Sequence, residues 1–154
     1  MPGTTHTTVA FHVPGTPEPQ RRPRAHRHGA HARVHDDPRN RTYADTIRWA
    51  WRDSGGHQIT QGPIHLVITA IWPRPKSHLT TRGQLNAAGR RATHPTQTDL
   101  SNVVKAVEDA MNGCGWTDDR QVTRITARKQ WSAPGRGVGV HVLATTDRRL
   151  EARA

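Results

Sequence analysis

The chain has 154 residues, with 23 Lys plus Arg against 12 Asp plus Glu, and a formal charge of +11 before any of the 11 histidines protonates. That is the size of one domain, and the charge points to a polyanionic partner without separating DNA, RNA and an anionic membrane surface. No run of about 18 apolar residues exists to cross a membrane, no secretory signal is expected at the N-terminus, and a lone Cys114 excludes an intramolecular disulfide and a four-cysteine zinc site.

In chain order, Val9, Phe11 and Val13 alternate with Ala10 and His12, which predicts a first strand ending at Pro14-Gly15. The segment from Thr16 to Arg41 holds Pro17, Pro19, Pro23, Pro38, seven arginines and four histidines. Such a segment cannot pack a core and reads as a solvated basic loop. Asp37-Pro38 supplies an N-cap and a proline at the first helical position, and Tyr43, Ile47, Ala50 and Trp51 recur at helical spacing until Gly55-Gly56. Gly62-Pro63 opens a strand from Ile64 to Trp72 that is apolar on both faces, the pattern of a central strand. A second basic loop, about 73–97, carries Lys76, Arg90, Arg91 and His94.

Val103, Val107, Ala110 and Met111 then predict an amphipathic helix from Leu100 to Asn112, closed by Gly113. Gln121–Trp131 and Gly137–Ala144 read as a closing pair of strands around Pro134-Gly135, followed by a polar tail at 145–154. The predicted fold is α/β, in the order β-α-β-α-β-β, with a small mixed sheet and helices packed on it. One domain spans 1–154, with its core at about 8–144. Leu, Ile, Val and Phe number only 24; five tryptophans enlarge this core, and a dimer interface is expected to supplement it.

Acidic residues are scarce, yet five of the 12 lie between Asp99 and Asp119. Taken singly, each has an ordinary explanation: Asp99 or Ser101 caps the helix, and Asp118 and Asp119 form a turn. Taken together, Asp99 at the start of the helix and Asp119 before the next strand can share one cleft, with Lys105 two turns into the helix. One or two carboxylates completed by water and substrate phosphate suit Mg²⁺. The ion polarises a scissile phosphate and a lysine stabilises the developing charge. Lys76, Lys105 and Lys129 are the only lysines beside 20 arginines.

The run Asp99-Leu-Ser-Asn-Val-Val-Lys105-Ala-Val-Glu-Asp-Ala-Met-Asn-Gly113, followed by Trp116-Thr-Asp-Asp-Arg-Gln-Val122 and Arg128-Lys129, resembles the RusA family of Holliday junction resolvases. Gly15-Thr-Pro17, Arg22-Pro-Arg24 and Pro73-Arg-Pro-Lys-Ser-His78 occur in the order the family shows, and the likeness covers most of residues 8–144. The resemblance implies a cytoplasmic, bacterial or phage-encoded homodimer that cuts four-way DNA junctions by paired symmetric nicks in DNA recombination and repair. It implies Mg²⁺ as cofactor, with Mn²⁺ able to substitute. By position, Asp99, Lys105 and Asp119 match the catalytic residues. Asp99 and Asp119 hold the metal, with Asp118 and, through a water, Ser101 as further candidates. Ser101 stands where many members carry a second aspartate.

DNA contacts are expected from Arg21, Arg22, Arg24, Lys76, Arg90, Arg91 and Lys129. A zinc cluster of His26, His28, His31 and His35 is disfavoured by the lack of cysteine and by the surrounding arginines. Cys114 reads as a bystander, Asp109 as an ion-pair partner that orients Lys105, and Glu108 as a minority alternative for the carboxylate absent at 101, disfavoured by its distance along the helix from Asp99. The competing function is a non-catalytic branched-DNA or RNA-binding protein, which leaves the acidic cluster unexplained.

Overall fold

The computed structural model describes residues 7–28 and 31–146. In chain order it has β1 (Thr8–Pro14), β2 (Arg24–His28), β3 (His31–His35), α1 (Pro38–Asp53), β4 (Ile64–Trp72), α2 (Ala87–Arg91), α3 (Leu100–Met111), β5 (Val122–Trp131) and β6 (Gly139–Thr146), with 3-10 turns at Lys76–His78 and Asp119–Gln121. The main sheet runs β1-β6-β4-β5. It is mixed, because β4 pairs parallel with β5 and antiparallel with β6, while β1 is antiparallel to β6.

The expected pair of closing strands is corrected here: β4 lies between β5 and β6. The reason lies in β4 itself, whose apolar run needs a partner on each edge. The chain leaves β4, crosses over through α3 and returns as β5 in parallel, the connection a covering helix imposes. Alternate β4 residues Ile64, Leu66, Ile68, Ala70 and Trp72 are buried against α1 and α3, and the residues between them are half-buried.

α1 begins where the sequence directs it. Asp37 caps it by accepting from the Arg39 backbone N–H at 3.0 Å, and Pro38 fills the first turn. Its stripe of Asn40, Ile47, Ala50 and Trp51 is buried, as are Val103, Ala106, Val107, Ala110 and Met111 of α3. Burying each Val or Ile in these stripes contributes about 1.5–3 kcal/mol relative to exposure.

Both basic loops contain regular structure that composition hid. Within 16–41, β2 and β3 form an antiparallel hairpin whose strands pair only with each other, so backbone hydrogen bonding orders a segment that has no apolar pattern. Within 73–97, α2 is capped by the Asn86 side chain. Arg74 holds this loop, donating to the Gly89 carbonyl at 2.8 Å and to the Ser132 carbonyl at 3.2 Å while lying 6.0 Å from the Trp131 ring centroid. Gly89 is required there, because a Cβ would run into the His78 carbonyl. The four-histidine reading falls on side chains outside the described set. Among the described residues no helix is long and apolar enough to cross a membrane.

Candidate active site

Asp99 occupies the N-cap of α3, yet its carboxylate makes no capping hydrogen bond. Capping, the ordinary use of an aspartate at this place, therefore leaves the side chain uncommitted, and the exposed carboxylate stands at the positive end of the helix dipole. Ser101, expected to cap, is instead an exposed residue inside the first turn. Two tethers fix this end of α3. The Lys129 ammonium donates to the Thr98 carbonyl at 2.6 Å, and the Gln20 backbone N–H donates to the Asn102 carbonyl at 2.8 Å.

The other end is built around Trp116. Past Asn112 the chain reverses through Gly113, whose φ of +78° is a left-handed conformation. The reversal buries Trp116, which is 1% exposed. Its indole N–H donates to Asp119 Oδ1 at 2.6 Å, fixing that carboxylate from below the surface. Asp118 serves the turn instead. Its carboxylate accepts from the Arg120 backbone at 2.8 Å and pairs with the Arg120 guanidinium at 2.8 Å, in a capping box closed by Gln121. The side-chain hydrogen bonds from Arg120 hold its pKa down at about 2. Both oxygens of Asp118 are thus engaged in forming the turn.

Between the two ends, Ser101, Lys105 and Glu108 share one stripe of α3 at i, i+4 and i+7. Lys105 pairs with Asp109 at 3.2 Å. Both partners are largely exposed, so the pair contributes at most about 1 kcal/mol. It does hold the ammonium to the helix surface. The Glu108 carboxyl is pushed up, first by burial and then by the charges of Asp119 and Asp109, against the pull of Lys105.

One chain does not bring Asp99 and Asp119 into one cleft. Asp119 is hydrogen-bonded to Trp116, whose backbone is tied to Met111, twelve residues down α3 from Asp99, about 18 Å of helix axis. Along the sheet, Lys129, which holds Thr98, is seven residues beyond Val122, about 23 Å of extended strand. Among the described residues, no three His, Cys, Asp or Glu side chains converge on a common point where an ion could sit. By donor chemistry Asp99 and Asp119 suit a hard divalent cation, since each retains carboxylate capacity that no protein group among the described residues uses.

The basic candidates divide by what they touch. Arg21 is built into the structure: its backbone and the Asn40 side chain exchange two hydrogen bonds of 2.9 Å, and its guanidinium lies 3.4 Å from Glu18 and 4.0 Å from Asp37. Lys129 braces Thr98 as described. Arg90 donates to the Leu85 carbonyl at 2.8 Å from an exposed position. Arg22, Lys76 and Arg91 are exposed, and the Arg24 side chain lies outside the described set. Sequence reading missed Trp116 as the partner of Asp119. Its tryptophan-to-aspartate spacing of three residues across a glycine-bounded turn was the available signal.

Comparison with known proteins supplies two findings. The family described as endodeoxyribonuclease RusA matches residues 14–142, a span that contains every candidate site residue above. A relative from Bacillus subtilis (strain 168), described as uncharacterized protein YqaN, is 26% identical over 125 residues, which is 80% of this chain and 88% of that protein.

Proposed function

We propose that this chain, which belongs to the RusA family of Holliday junction-resolving endodeoxyribonucleases, acts on four-way DNA as an Mg²⁺-dependent homodimer that makes paired symmetric nicks. The observation that carries this reading is the pairing of the family match over residues 14–142 with two aspartates in a chain of charge +11: Asp99 makes no capping hydrogen bond, and among the described residues Asp119 accepts from the Trp116 indole alone.

In this proposal Asp99 and Asp119 hold the ion, with Ser101 positioned to orient a water and Glu108 adding negative potential beside Asp119. Mg²⁺, or Mn²⁺ in its place, supplies a Lewis acid that polarises the scissile phosphate. Lys105, held to the helix surface by Asp109, stabilises the charge that develops on the phosphate oxygens. Trp116 keeps the Asp119 carboxylate aimed by donating to Oδ1. Lys129 fixes Asp99 indirectly through the Thr98 carbonyl and is a positioning residue.

The separation of Asp99 from Asp119 gives the dimer a chemical role. A two-fold partner whose α3 runs antiparallel to the first sets the Asp99 end of one copy against the Asp119 end of the other, so each site draws one aspartate from each chain. Two such sites related by symmetry fit a substrate with two equivalent strands. The direct test is cleavage of a synthetic four-way junction and a matching linear duplex with Mg²⁺, Mn²⁺ or EDTA. Symmetric nicks on the junction alone, and only with metal, are expected. Junction binding without cleavage in any metal identifies a non-catalytic branched-DNA binder instead.

A further inference from the structure

The helices cover one face of the sheet, and strand register defines what occupies the other. Across β1, β6, β4 and β5 the successive rows are Thr8, Thr145, His65 and Arg124; Ala10, Leu143, Val67 and Thr126; and His12, His141, Thr69 and Arg128, ending near Ile71 and Gln130. On β1, β4 and β6 these side chains alternate with the buried ones, and Arg124, Thr126, Arg128, His12, His141 and Leu143 are exposed. Among the described residues of this face there is no carboxylate. In a chain with 12 acidic residues, a four-stranded surface whose only charged groups are two arginines and three histidines, beside threonine, glutamine and apolar side chains such as Leu143, is a one-signed patch.

Two details give the patch the character of a binding surface. At one end, a cavity of about 400 Å³ is lined by His12, His141, Gln130, Ser132, Arg136 and Ile71, among others. The rings of His12 and His141 lie 4.4 Å apart within it, and the pKa of His141 is held down by burial and by His12. Two imidazoles, a guanidinium and an amide around one concavity present donors to an anion, with no carboxylate among the lining residues. Arg124 and Arg128 lie on the same side of β5, four residues or about 13 Å apart, and Arg128 is steadied by donating to Thr69 Oγ1 at 3.1 Å.

A second copy of the chain is a poor occupant. Face-to-face packing sets arginine and histidine against their own copies with no carboxylate to pair them, and like charges across an interface are costly. We propose that the open sheet face binds the phosphodiester backbone of a nucleic-acid strand, with the His12–His141–Arg136 cavity seating one phosphate, as a surface separate from the α3 site. The inference concerns the same class of partner as the proposed function but does not depend on cleavage.

The test is duplex and four-way-junction binding in EDTA against salt, for wild type, Arg124→Gln/Arg128→Gln and His12→Gln/His141→Gln. Removing one phosphate contact lowers the salt slope by about 0.9, so the double arginine variant is expected to lose close to two units of slope and at least tenfold in affinity, while its thermal melting stays that of wild type. The histidine variant is expected to lose at least about threefold in affinity for both DNAs. Cleavage of saturating junction by the arginine variant stays near wild type if the parent enzyme cuts. Unchanged slope and affinity in both variants overturn the proposal. So does a change in sedimentation state without a change in slope, which assigns the face to a second copy, or loss of binding to anionic vesicles alone, which assigns it to a membrane.

Discussion

Replacing Trp116 by Phe removes one hydrogen bond and little else, which makes it the sharpest probe of how the fold serves Asp119. The indole N–H lies 2.6 Å from Asp119 Oδ1 and the ring is 1% exposed. A hydrogen bond to a charged acceptor contributes about 1.5–3 kcal/mol. Asp119 is half-exposed, so the lower part of that range applies, and the void left by the smaller ring adds about 1 kcal/mol. We expect Trp116→Phe to lower unfolding free energy by roughly 2–3 kcal/mol, read from urea unfolding at fixed protein concentration with unchanged m value. Asp119→Asn keeps an oxygen acceptor for the indole, so it should cost under about 1 kcal/mol while abolishing cleavage. A Trp116→Phe protein within about 0.5 kcal/mol of wild type, or an Asp119→Asn protein as destabilised as Trp116→Phe, refutes the assignment of this bond as the support of Asp119.

Glu108 has its folded-state pKa raised by burial and by Asp119, so its contribution favours the folded state only below its unfolded pKa and is lost as pH rises through the raised value. Glu108→Gln should therefore be more stable than wild type at pH 7, with the gain disappearing as pH falls below about 4; equal stability at both pH values contradicts the shift. Ser101→Asp should reduce the Mg²⁺ concentration for half-maximal junction cleavage, because a carboxylate replaces a hydroxyl beside the proposed metal, and an unchanged requirement places position 101 outside the coordination sphere. Lys105→Ala should lower turnover much more than junction affinity and leave stability within about 0.5 kcal/mol, since its pair with Asp109 is exposed. Equal losses in turnover and affinity reassign Lys105 to a simple phosphate contact.

The parts of the fold that sequence made legible are those governed by local chemistry. Asp37-Pro38 marked the start of α1, and the apolar runs of β4 and α3 marked their own extents, because capping and periodicity act within a few residues. What sequence concealed depended on pairing. The hairpin β2–β3 has no apolar alternation to announce it, and the insertion of β4 between β5 and β6 is a non-local choice driven by burying both edges of one strand. The site divided in the same way. The residue types were foreshadowed, but the freedom of Asp99 from capping and its separation from Asp119 along α3 were not, since an interval of about twenty residues gives no direction in space. Sequence likewise gave no sign of what Arg21 and Lys129 touch: Glu18 and Asp37 flank the Arg21 guanidinium, and the Thr98 carbonyl accepts from the Lys129 ammonium.

The division of the site between two chains is tested most directly by mixing two dead subunits. Asp99→Asn and Asp119→Asn chains, carrying different tags and co-expressed, yield a heterodimer that can be purified by both tags and given a four-way junction with Mg²⁺. If each site takes Asp99 from one chain and Asp119 from the other, the heterodimer has one site with both aspartates and one with neither. It should then nick the junction on single strands, without the paired second cut, while either homodimer stays inactive. A heterodimer as inactive as its parents, though it binds the junction like wild type, contradicts the shared site.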